Sequence, residues 1–297
     1  MTIQRIEAVT FGVVDLEACV RFFADAGLEQ LDTGRTGTTF STPERQFIYL
    51  RMADDPALPS PVAEAPTLRE VVWGVDSPQA LAAIGAELEK DRPVTADSCG
   101  VLHARDNTGW AIAFRTAAPQ QADPGEQRKY NVLRNVNRWN NPVAAYRRAR
   151  PIRLLHVTLD IPKAGAEAAI EFYIDRLRFR PIDRVLDTGT FMQCEGDVEH
   201  HNLFLCFRPD KVGFNHIALE VRDFDEVMEG GNYMIEQGWK ESRVVGRHTL
   251  GSNVYRFIHC PAGGRIEFAA DMDRMNKSFE TRTWPKNPGH HIWSLKS

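Results

Sequence analysis

The sequence predicts an α+β fold made of two similar halves, each built from two strand–helix–strands units. Segments with alternating apolar residues, typical of strands, are interleaved with amphipathic helical segments. Residues 5–31 begin as a strand, turn at Asp15 and continue as a helix to Gly27. Residues 153–181 repeat this order, with the turn at Pro162.

A second pair of segments also matches between the halves. Residues 68–90 and 214–238 each contain a strand, an acidic turn and a helix. Each is followed by a polar turn with glycine and a final strand, at 104–114 and 259–271. Two matching pairs in the same order indicate an internal duplication.

The duplication divides the chain into an amino-terminal domain at 1–118, a linker at 119–150, a carboxyl-terminal domain at 151–273 and a tail at 274–297. The linker is rich in proline, glutamine and asparagine, which favours a solvated connector. A phosphate or acid site formed by its arginines is the alternative. The tail contains Trp284 and Trp293, and it either folds back over a domain or extends into solvent.

Composition excludes several classes of function. Hydrophobic residues make up 43% of the chain and the formal net charge is −4, so there is no electrostatic reason to expect nucleic acid or an anionic membrane as partner. No secretory signal and no apolar stretch of bilayer-spanning length is evident. The five cysteines are scattered and odd in number, which is typical of reduced thiols. We therefore expect a cytoplasmic protein that binds neither nucleic acid nor membrane.

Candidate ligands for a metal lie in the second half only. Of the nine histidines, His103 alone precedes residue 156. When the halves are aligned by pattern, three strand positions of the second half have a histidine or glutamate where the first half has a different residue. They are His156 opposite Ala8, His216 opposite Glu70 and Glu267 opposite Ile112. Two imidazoles and one carboxylate are the ligand set of a non-haem Fe(II) site.

Strand alternation supports these three positions independently of the alignment. Side chains at alternate positions of a strand point to opposite faces. His156 and His216 alternate with apolar neighbours such as Val157 and Ile217, and Glu267 lies between Ile266 and Phe268. The side chains of all three candidates therefore point away from the apolar face, on which a helix would pack. A single carboxylate leaves such a site with net positive charge when a divalent ion is bound, which favours an anionic chelating substrate.

Five segments carry a resemblance to a known family. In chain order they are HVTLDIP, EHHNLFL, GFNHIALEVRDFDEV, GRHTLGSN and GGRIEFAAD. They resemble the type I extradiol ring-cleaving dioxygenases of the vicinal oxygen chelate superfamily, which also includes glyoxalases and bleomycin resistance proteins. The resemblance implies two domains, each of two βαβββ modules that form a cup-shaped mixed sheet. It also implies that only the second cup binds metal, through His156, His216 and Glu267.

The resemblance implies roles for further residues. His201, the second histidine of EHHNLFL, matches the acid/base residue of the family. We expect it on a strand face with Leu203 and Leu205, where an apolar pocket would lower its pKa. His248 matches the histidine that assists substrate binding and stabilises oxygen. The family's usual substrate-binding tyrosine is replaced by Phe257, and Tyr255, two residues earlier on the same face, is the candidate replacement.

The expected function is Fe(II)-dependent extradiol cleavage of a catechol-type or trihydroxylated ring by O2, in aromatic catabolism. Mn(II) uses the same ligands, and the resemblance implies a homo-oligomer. Three alternatives share the fold. They are a 4-hydroxyphenylpyruvate-type dioxygenase, whose extra carboxyl-terminal helix is not evident here, a glyoxalase or epimerase with further carboxylate or glutamine ligands, and a non-enzymatic protein that binds aromatic ligands without metal.

Overall fold

In a computed structural model, which describes residues 2–118, 120–123, 125 and 128–295, the chain folds around two mixed β-sheets. The first half contains β1 (Ile3–Val13), α1 (Leu16–Asp25), β2 (Glu29–Thr33), β3 (Gly37–Ser41), β4 (Phe47–Met52), β5 (Thr67–Val75), α2 (Pro78–Leu88), β6 (Thr95–Ala96), β7 (Leu102–Arg105) and β8 (Ala111–Thr116). The second half repeats this order with β9 (Arg153–Pro162), α3 (Ala166–Glu171), β10 (Arg180–Val185), β11 (Gly189–Gln193), β12 (Leu203–Arg208), β13 (Gly213–Glu220), α4 (Phe224–Glu236), β14 (Glu241–His248), β15 (Val254–His259) and β16 (Arg265–Ala270). A π-helical segment, Phe172–Arg176, extends α3.

Each half contains two βαβββ modules, as predicted. The strand order is β2-β3-β4-β1-β5-β8-β7-β6 in the first sheet, and β10-β11-β12-β9-β13-β16-β15-β14 forms the matching part of the second. In each sheet the two modules meet through an antiparallel pair, β1 with β5 and β9 with β13. The predicted α+β fold is therefore confirmed. We call the faces turned away from the helices the first cup and the second cup.

The helices begin where the sequence supplies a capping side chain. The Asp15 carboxylate accepts a hydrogen bond from the Ala18 amide at 2.9 Å, and the Asp223 carboxylate accepts one from the Glu226 amide at 2.9 Å. Such caps satisfy amides that the first helical turn leaves unpaired. α1 then buries Phe22 against the core, so the helix covers one face of its sheet and leaves the cup face free.

The apolar core is continuous between the two halves. Trp73 of β5 packs edge-on against Phe179, with ring centroids 5.0 Å apart, and Phe11 packs edge-on against Phe214 at 5.3 Å. The buried amide of Gln46 donates to the Leu154 carbonyl at 2.9 Å and accepts from the Leu154 amide at 2.7 Å. Because a buried amide with broken hydrogen bonds is costly, this contact helps to fix the position of one sheet against the other.

The linker is largely exposed, and the structure anchors it to α4 at one arginine. Among its described residues the backbone pairing consists of an isolated bridge between Val132 and Asn135. The prediction of a solvated connector is wrong at Arg128. The side chain of this residue is 2% exposed and pairs with Glu229 at 2.7 Å. This arginine therefore binds a carboxylate of the protein itself, which argues against the alternative of a phosphate site at Arg128.

The tail folds back over the second sheet. Its strands are β17 (Arg282–Trp284), which pairs with β10, and β18 (His291–Ser294), which pairs with β14. Since β10 and β14 lie at opposite edges of the module sheet, residues 285–290 cross from one edge to the other. The described tail residues form no helix. Within the described ranges, no helix combines the length and apolarity needed to cross a membrane.

Candidate active site

The three predicted ligands meet in the second cup. His156 lies on β9, His216 on β13 and Glu267 on β16, which are adjacent strands of the sheet. His156 Nε2 lies 3.1 Å from His216 Nε2, and Glu267 Oε2 lies 3.2 Å from each of these nitrogens. All three side chains are buried. Their neighbours Val157, Ile217, Ile266 and Phe268 belong to the apolar core, as strand alternation predicts.

The three donor atoms form a nearly equilateral triangle that fits a metal ion. Ligand atoms about 2.1 Å from a metal and at right angles to each other lie about 3.0 Å apart, close to the sides of this triangle. Glu267 Oε2 is buried and, among the described residues, has no hydrogen-bond donor. A buried carboxylate oxygen without a donor is costly unless a cation is bound. The donor set and its geometry therefore suit a facial site with open positions opposite the triangle.

The protonation states of these groups also suit a metal. Burial lowers the pKa of His216 to about 3, so the imidazole is neutral at physiological pH. Burial raises the pKa of Glu267, but the nearby imidazoles of His156, His216 and His248 outweigh it and hold the pKa of this carboxyl well below its usual value. Neutral imidazoles and an ionised carboxylate are the forms that bind metal ions.

Two asparagines orient the ligand side chains. The Asn215 Oδ1 atom accepts a hydrogen bond from His216 Nδ1 at 2.8 Å, which places the proton on Nδ1 and leaves the Nε2 lone pair free. The Asn253 amide donates to Glu267 Oε1 at 2.8 Å, which leaves Oε2 as the oxygen that faces the histidines. Partners of this kind fix the orientation of metal ligands. Asn253 lies within the GRHTLGSN segment, but nothing in the sequence alone assigned it this contact.

The triangle opens into a cavity of about 430 Å³. This volume is in the range of small-molecule sites. The wall formed by β11 and β12 is aromatic, with Phe191 and Phe204 stacked at a centroid distance of 3.8 Å. The lining also includes His201, His248, Phe257, Arg208, Arg243 and Arg265.

His201 lines this cavity, but not in the way that strand alternation predicted. β12 begins at Leu203, so His201 lies before the strand, and Leu203 and Leu205 point into the core. The expected common face with these leucines is therefore wrong. The ring of His201 packs against that of His156, with centroids 4.2 Å apart. Burial, followed by the proximity of His156, lowers the pKa of His201 well below its usual value.

A buried chain of hydrogen bonds runs from His201 away from the cavity. His201 Nδ1 lies 3.0 Å from His200 Nδ1, and His200 Nε2 lies 2.8 Å from Asp183 Oδ2. The side chains of His200 and Asp183 are both fully buried. Asp183 also accepts hydrogen bonds from Arg282 and Trp284 of β17, at 2.8 and 2.6 Å. His200 lies in the bend before β12 and Asp183 lies on β10, 17 residues apart in the chain, so nothing in the sequence alone assigned them this contact.

His248 and Tyr255 form the opposite rim. His248 Nε2 lies 3.7 Å from Glu267 Oε1, and its Nδ1 donates to the His290 carbonyl at 3.1 Å. The ring of Tyr255 stacks on that of His248 at 4.0 Å. Phe257 lines the cavity, whereas Tyr255 lies behind His248 and its hydroxyl bonds His291 Nδ1 at 2.8 Å. The catalytic role of Tyr255 stays a prediction, and its contact with the cavity is through His248.

The tail closes part of the cavity mouth. Asn287, Gly289 and His290 line the cavity, in the segment that crosses between β17 and β18. The two tail tryptophans lie elsewhere, since Trp284 bonds Asp183 and Trp293 packs near Phe224 with ring centroids 6.1 Å apart. Tail residues other than the two tryptophans therefore line this part of the site.

Strand register corrects one pairing between the halves. Ala8 pairs with Val72 and His156 with Ala218, which makes Glu70 the counterpart of His216, as predicted. Glu70 pairs with Ala111 and His216 with Arg265, so the counterpart of Glu267 is Ala113. The predicted counterpart, Ile112, is one residue away and points into the core. The turn before the final strand differs between the halves, and the alignment by pattern slipped there.

Comparison with known proteins agrees with the fold. Residues 153–268 match the Glyoxalase/Bleomycin resistance protein/Dioxygenase superfamily. Metapyrocatechase 2 of Cupriavidus necator is 31% identical over 216 residues, which are 70% of this chain and 62% of the relative. The chain thus spans a little under two thirds of that curated relative. The matched residues, 153–268, include all three predicted ligands, so this part of the chain is similar to the superfamily.

Solved structures extend the similarity in fold to both halves. The Mn(II)-bound glyoxalase from Novosphingobium aromaticivorans superposes with a TM-score of 0.75 at 20% identity, covering 97% of this chain and 89% of that one. The 2,3-dioxygenase LapB from Pseudomonas sp. KL28 superposes with a TM-score of 0.75 at 16% identity, covering 96% and 98%. The two-domain fold predicted from the duplication is therefore shared with these proteins along nearly their whole length.

Proposed function

We propose that this protein is an extradiol dioxygenase that opens a catechol-type or trihydroxylated aromatic ring with O2. The observation that carries the proposal is the triangle of His156, His216 and Glu267 in a cavity whose lining includes two further histidines, His201 and His248. The similarity to metapyrocatechase 2 supports the same reaction class. Superposition on LapB, which is named a 2,3-dioxygenase, supports a fold shared with that protein.

We propose Fe(II) as the resident metal, held by His156, His216 and Glu267, with Mn(II) as the alternative that the same ligands accept. A metal in this site supplies positions for a chelating diol and for dioxygen, and allows electron density to pass between them. Holding both reactants in one cavity reduces the entropic part of the barrier, by up to roughly 7–11 kcal/mol in well-oriented systems.

In this proposal His201 removes a proton from the diol. Asp183 accepts a hydrogen bond from His200 Nε2, which leaves His200 Nδ1 as an acceptor for a proton on His201 Nδ1. This assignment leaves His201 Nε2 unprotonated, and burial keeps the imidazole neutral. The side chain thus meets the requirements of a general base: it lines the cavity and has a free lone pair.

The other groups orient the ring and exclude water. Phe191 and Phe204 offer a flat apolar wall against which an aromatic ring can stack. His248 donates from Nδ1 to the His290 carbonyl, and in its doubly protonated form its Nε2–H can stabilise developing negative charge in the cavity. Asn287, Gly289 and His290 of the tail limit access of solvent to these groups.

We further propose that residues 1–118 and 151–273 are the two domains, joined by the linker at 119–150, and that 274–297 is a tail of the second. The cytoplasmic location and the homo-oligomer remain predictions. The triangle and its rim of histidines argue against the metal-free binding protein, which has no use for such a donor set.

Oxygen uptake tests the proposed function. The protein is loaded anaerobically with Fe(II) and offered catechols and trihydroxybenzenes, while oxygen consumption and absorbance are recorded together. We expect consumption of one dioxygen per ring opened and a new yellow chromophore. Chelation of the metal should abolish both.

Two outcomes would count against the proposal. If iron binds stoichiometrically and no ring in a broad panel is opened, the reaction class is wrong. If no metal binds, the metal-free binding protein becomes the better account, and direct binding of catechols should then be measured.

A further inference from the structure

Two arginines of the cavity wall have no acidic partner. Arg243 of β14 and Arg265 of β16 both line the cavity, and neither forms an ion pair among the described residues. Arg208, which also lines the cavity, differs because it pairs with Asp160 at 2.8 Å. Among the described residues, no carboxylate lies within ion-pair distance of either arginine, and Glu267 and Asp160 act on Arg265 only from farther away.

The strand register places both arginines beside the candidate ligands. Arg243 pairs with Phe257, and Phe257 pairs with Glu267, so the three lie in one row across neighbouring strands. Arg265 pairs with His216 and precedes Glu267 by two residues, which is roughly 7 Å along a strand on the same face. Strand alternation alone would therefore have placed Arg265 in the second cup.

The two guanidinium groups converge on one aromatic ring. The Cζ atom of Arg243 lies 5.2 Å from the centroid of Phe257, and that of Arg265 lies 4.9 Å from it. Arg265 also donates a hydrogen bond to Asn215 Oδ1, which holds its side chain in place.

Two guanidinium groups that approach the same ring in a cavity wall can bind an anion there. Cation–π contact with Phe257 stabilises both groups. A carboxylate would stabilise them further, because a guanidinium presents its donors in a planar fork that matches both oxygens. The opposite wall, Phe191 and Phe204, is aromatic and uncharged. The cavity thus has one side suited to a ring and another suited to an anion.

We propose that the aromatic substrate carries a carboxylate, which Arg243 and Arg265 bind while the diol faces His156, His216 and Glu267. This inference rests on the proposed function and specifies its substrate class. The carboxylate would extend from the ring toward β14 and β16, on a short arm. Neutral catechols would lack this contact and would be poorer substrates.

Matched substrates test the proposal kinetically. Catechols that carry a carboxylate directly, or on an arm of one or two carbons, are compared with the corresponding carboxamides. We expect kcat/KM for the best acid to exceed that of its amide by about 10- to 100-fold, the range for hydrogen bonds to charged groups. Arg243→Gln and Arg265→Gln should each remove most of this preference, mainly through KM. Arg184→Gln, which changes the same charge outside the cavity, should retain it.

A binding measurement makes the test independent of ring cleavage. Phenylacetate and benzoate lack the diol, so calorimetry can measure their binding to the protein without turnover. We expect binding to wild type that weakens with added salt, and about tenfold or greater weakening in Arg243→Gln. Arg243→Lys, which keeps the charge and loses the planar fork, should bind with intermediate affinity. Thermal melts of all variants verify that they are folded.

The outcomes separate this inference from the proposed function. If wild type opens neutral catechols with the same kcat/KM as the acids, or if both glutamine variants bind phenylacetate and benzoate as wild type does, the carboxylate site is refuted. If wild type opens no ring, yet carboxylate binding depends on Arg243 and Arg265, the carboxylate site stands and the proposed function fails.

Discussion

The two cups have the same strands in the same order but different chemistry on their concave faces. At the positions of His156, His216 and Glu267, the first cup has Ala8, Glu70 and Ala113. Part of its interior is apolar, with Ala8, Val72 and Ala113 packed against Phe47, Tyr49 and Val101. The comparison teaches that the fold supplies a concave sheet, and that a few substitutions on that sheet decide whether it can hold a metal.

The first cup also shows what happens to a lone carboxylate at a ligand position. Glu70 pairs with His103 Nδ1 at 2.8 Å, and His103 occupies the position equivalent to Phe257. The first cup therefore satisfies its carboxylate with its own histidine, whereas Glu267 Oε2 has no hydrogen-bond donor among the described residues. The positions of Arg243 and Arg265 are occupied by Thr95 and Ala111 in the first cup, so the proposed carboxylate site is also confined to the second.

The largest expected effect comes from removing a ligand from the second cup. Glu267→Ala should lose bound metal and reduce turnover by at least about 10³-fold, since the metal contributes several kcal/mol of charge stabilisation. Glu70→Ala, the equivalent change in the first cup, should leave metal content unchanged. Metal analysis of the purified, loaded proteins measures both. Equal metal content in wild type and Glu267→Ala would contradict the assignment.

The second-largest effect is expected from removing the proposed general base, His201. His201→Gln should retain the metal and lose about 10²- to 10⁴-fold in turnover, the usual contribution of a positioned acid or base. His103→Gln, a histidine change in the first cup, should retain turnover. Steady-state rates and metal content, measured on the same samples, separate loss of the base from loss of the metal. Full activity of His201→Gln would exclude the proposed role.

The charge of the buried Asp183 should make the stability of the protein depend on pH. Burial raises its pKa, but hydrogen bonds from His200, Arg282 and Trp284 outweigh this and lower the pKa of Asp183 from 3.8 to about 2. A carboxyl with a lowered folded pKa stabilises the protein above its unfolded pKa and loses that contribution as the pH falls toward its folded pKa. Wild type should therefore be about 2 kcal/mol more stable than Asp183→Asn at neutral pH.

This difference should shrink as the pH falls from about 4 to about 2. Denaturant unfolding of both proteins across this range measures it. A difference that is independent of pH would show that Asp183 acts through packing rather than through its charge.

The smallest expected effect concerns Tyr255. Removal of its hydroxyl in Tyr255→Phe breaks the bond to His291 and keeps the stacking on His248. We expect turnover to fall about fivefold, the worth of one ordinary hydrogen bond, because the tail is held less firmly over the cavity. Steady-state kinetics measures the effect. A loss of more than about 100-fold would instead indicate that the hydroxyl acts on the substrate itself.

Much of the site was predictable because strand alternation is a local property. His156, His216 and Glu267 each alternate with core residues in short, regular strands, so sequence alone placed them on the cup face. The predicted strand face of His201 is wrong because the strand begins two residues later than the pattern suggested. The contacts of His200, Asp183, Asn253 and Arg243 join residues that are separated in sequence, and no local pattern encodes them.

Anomalous X-ray diffraction at the iron edge, on crystals loaded anaerobically with Fe(II), tests the difference between the cups most directly. The account predicts one anomalous peak per chain, in the second cup, within bonding distance of His156 Nε2, His216 Nε2 and Glu267 Oε2. A peak at Glu70 and His103 in the first cup, or the absence of a peak between the three predicted ligands, would contradict it.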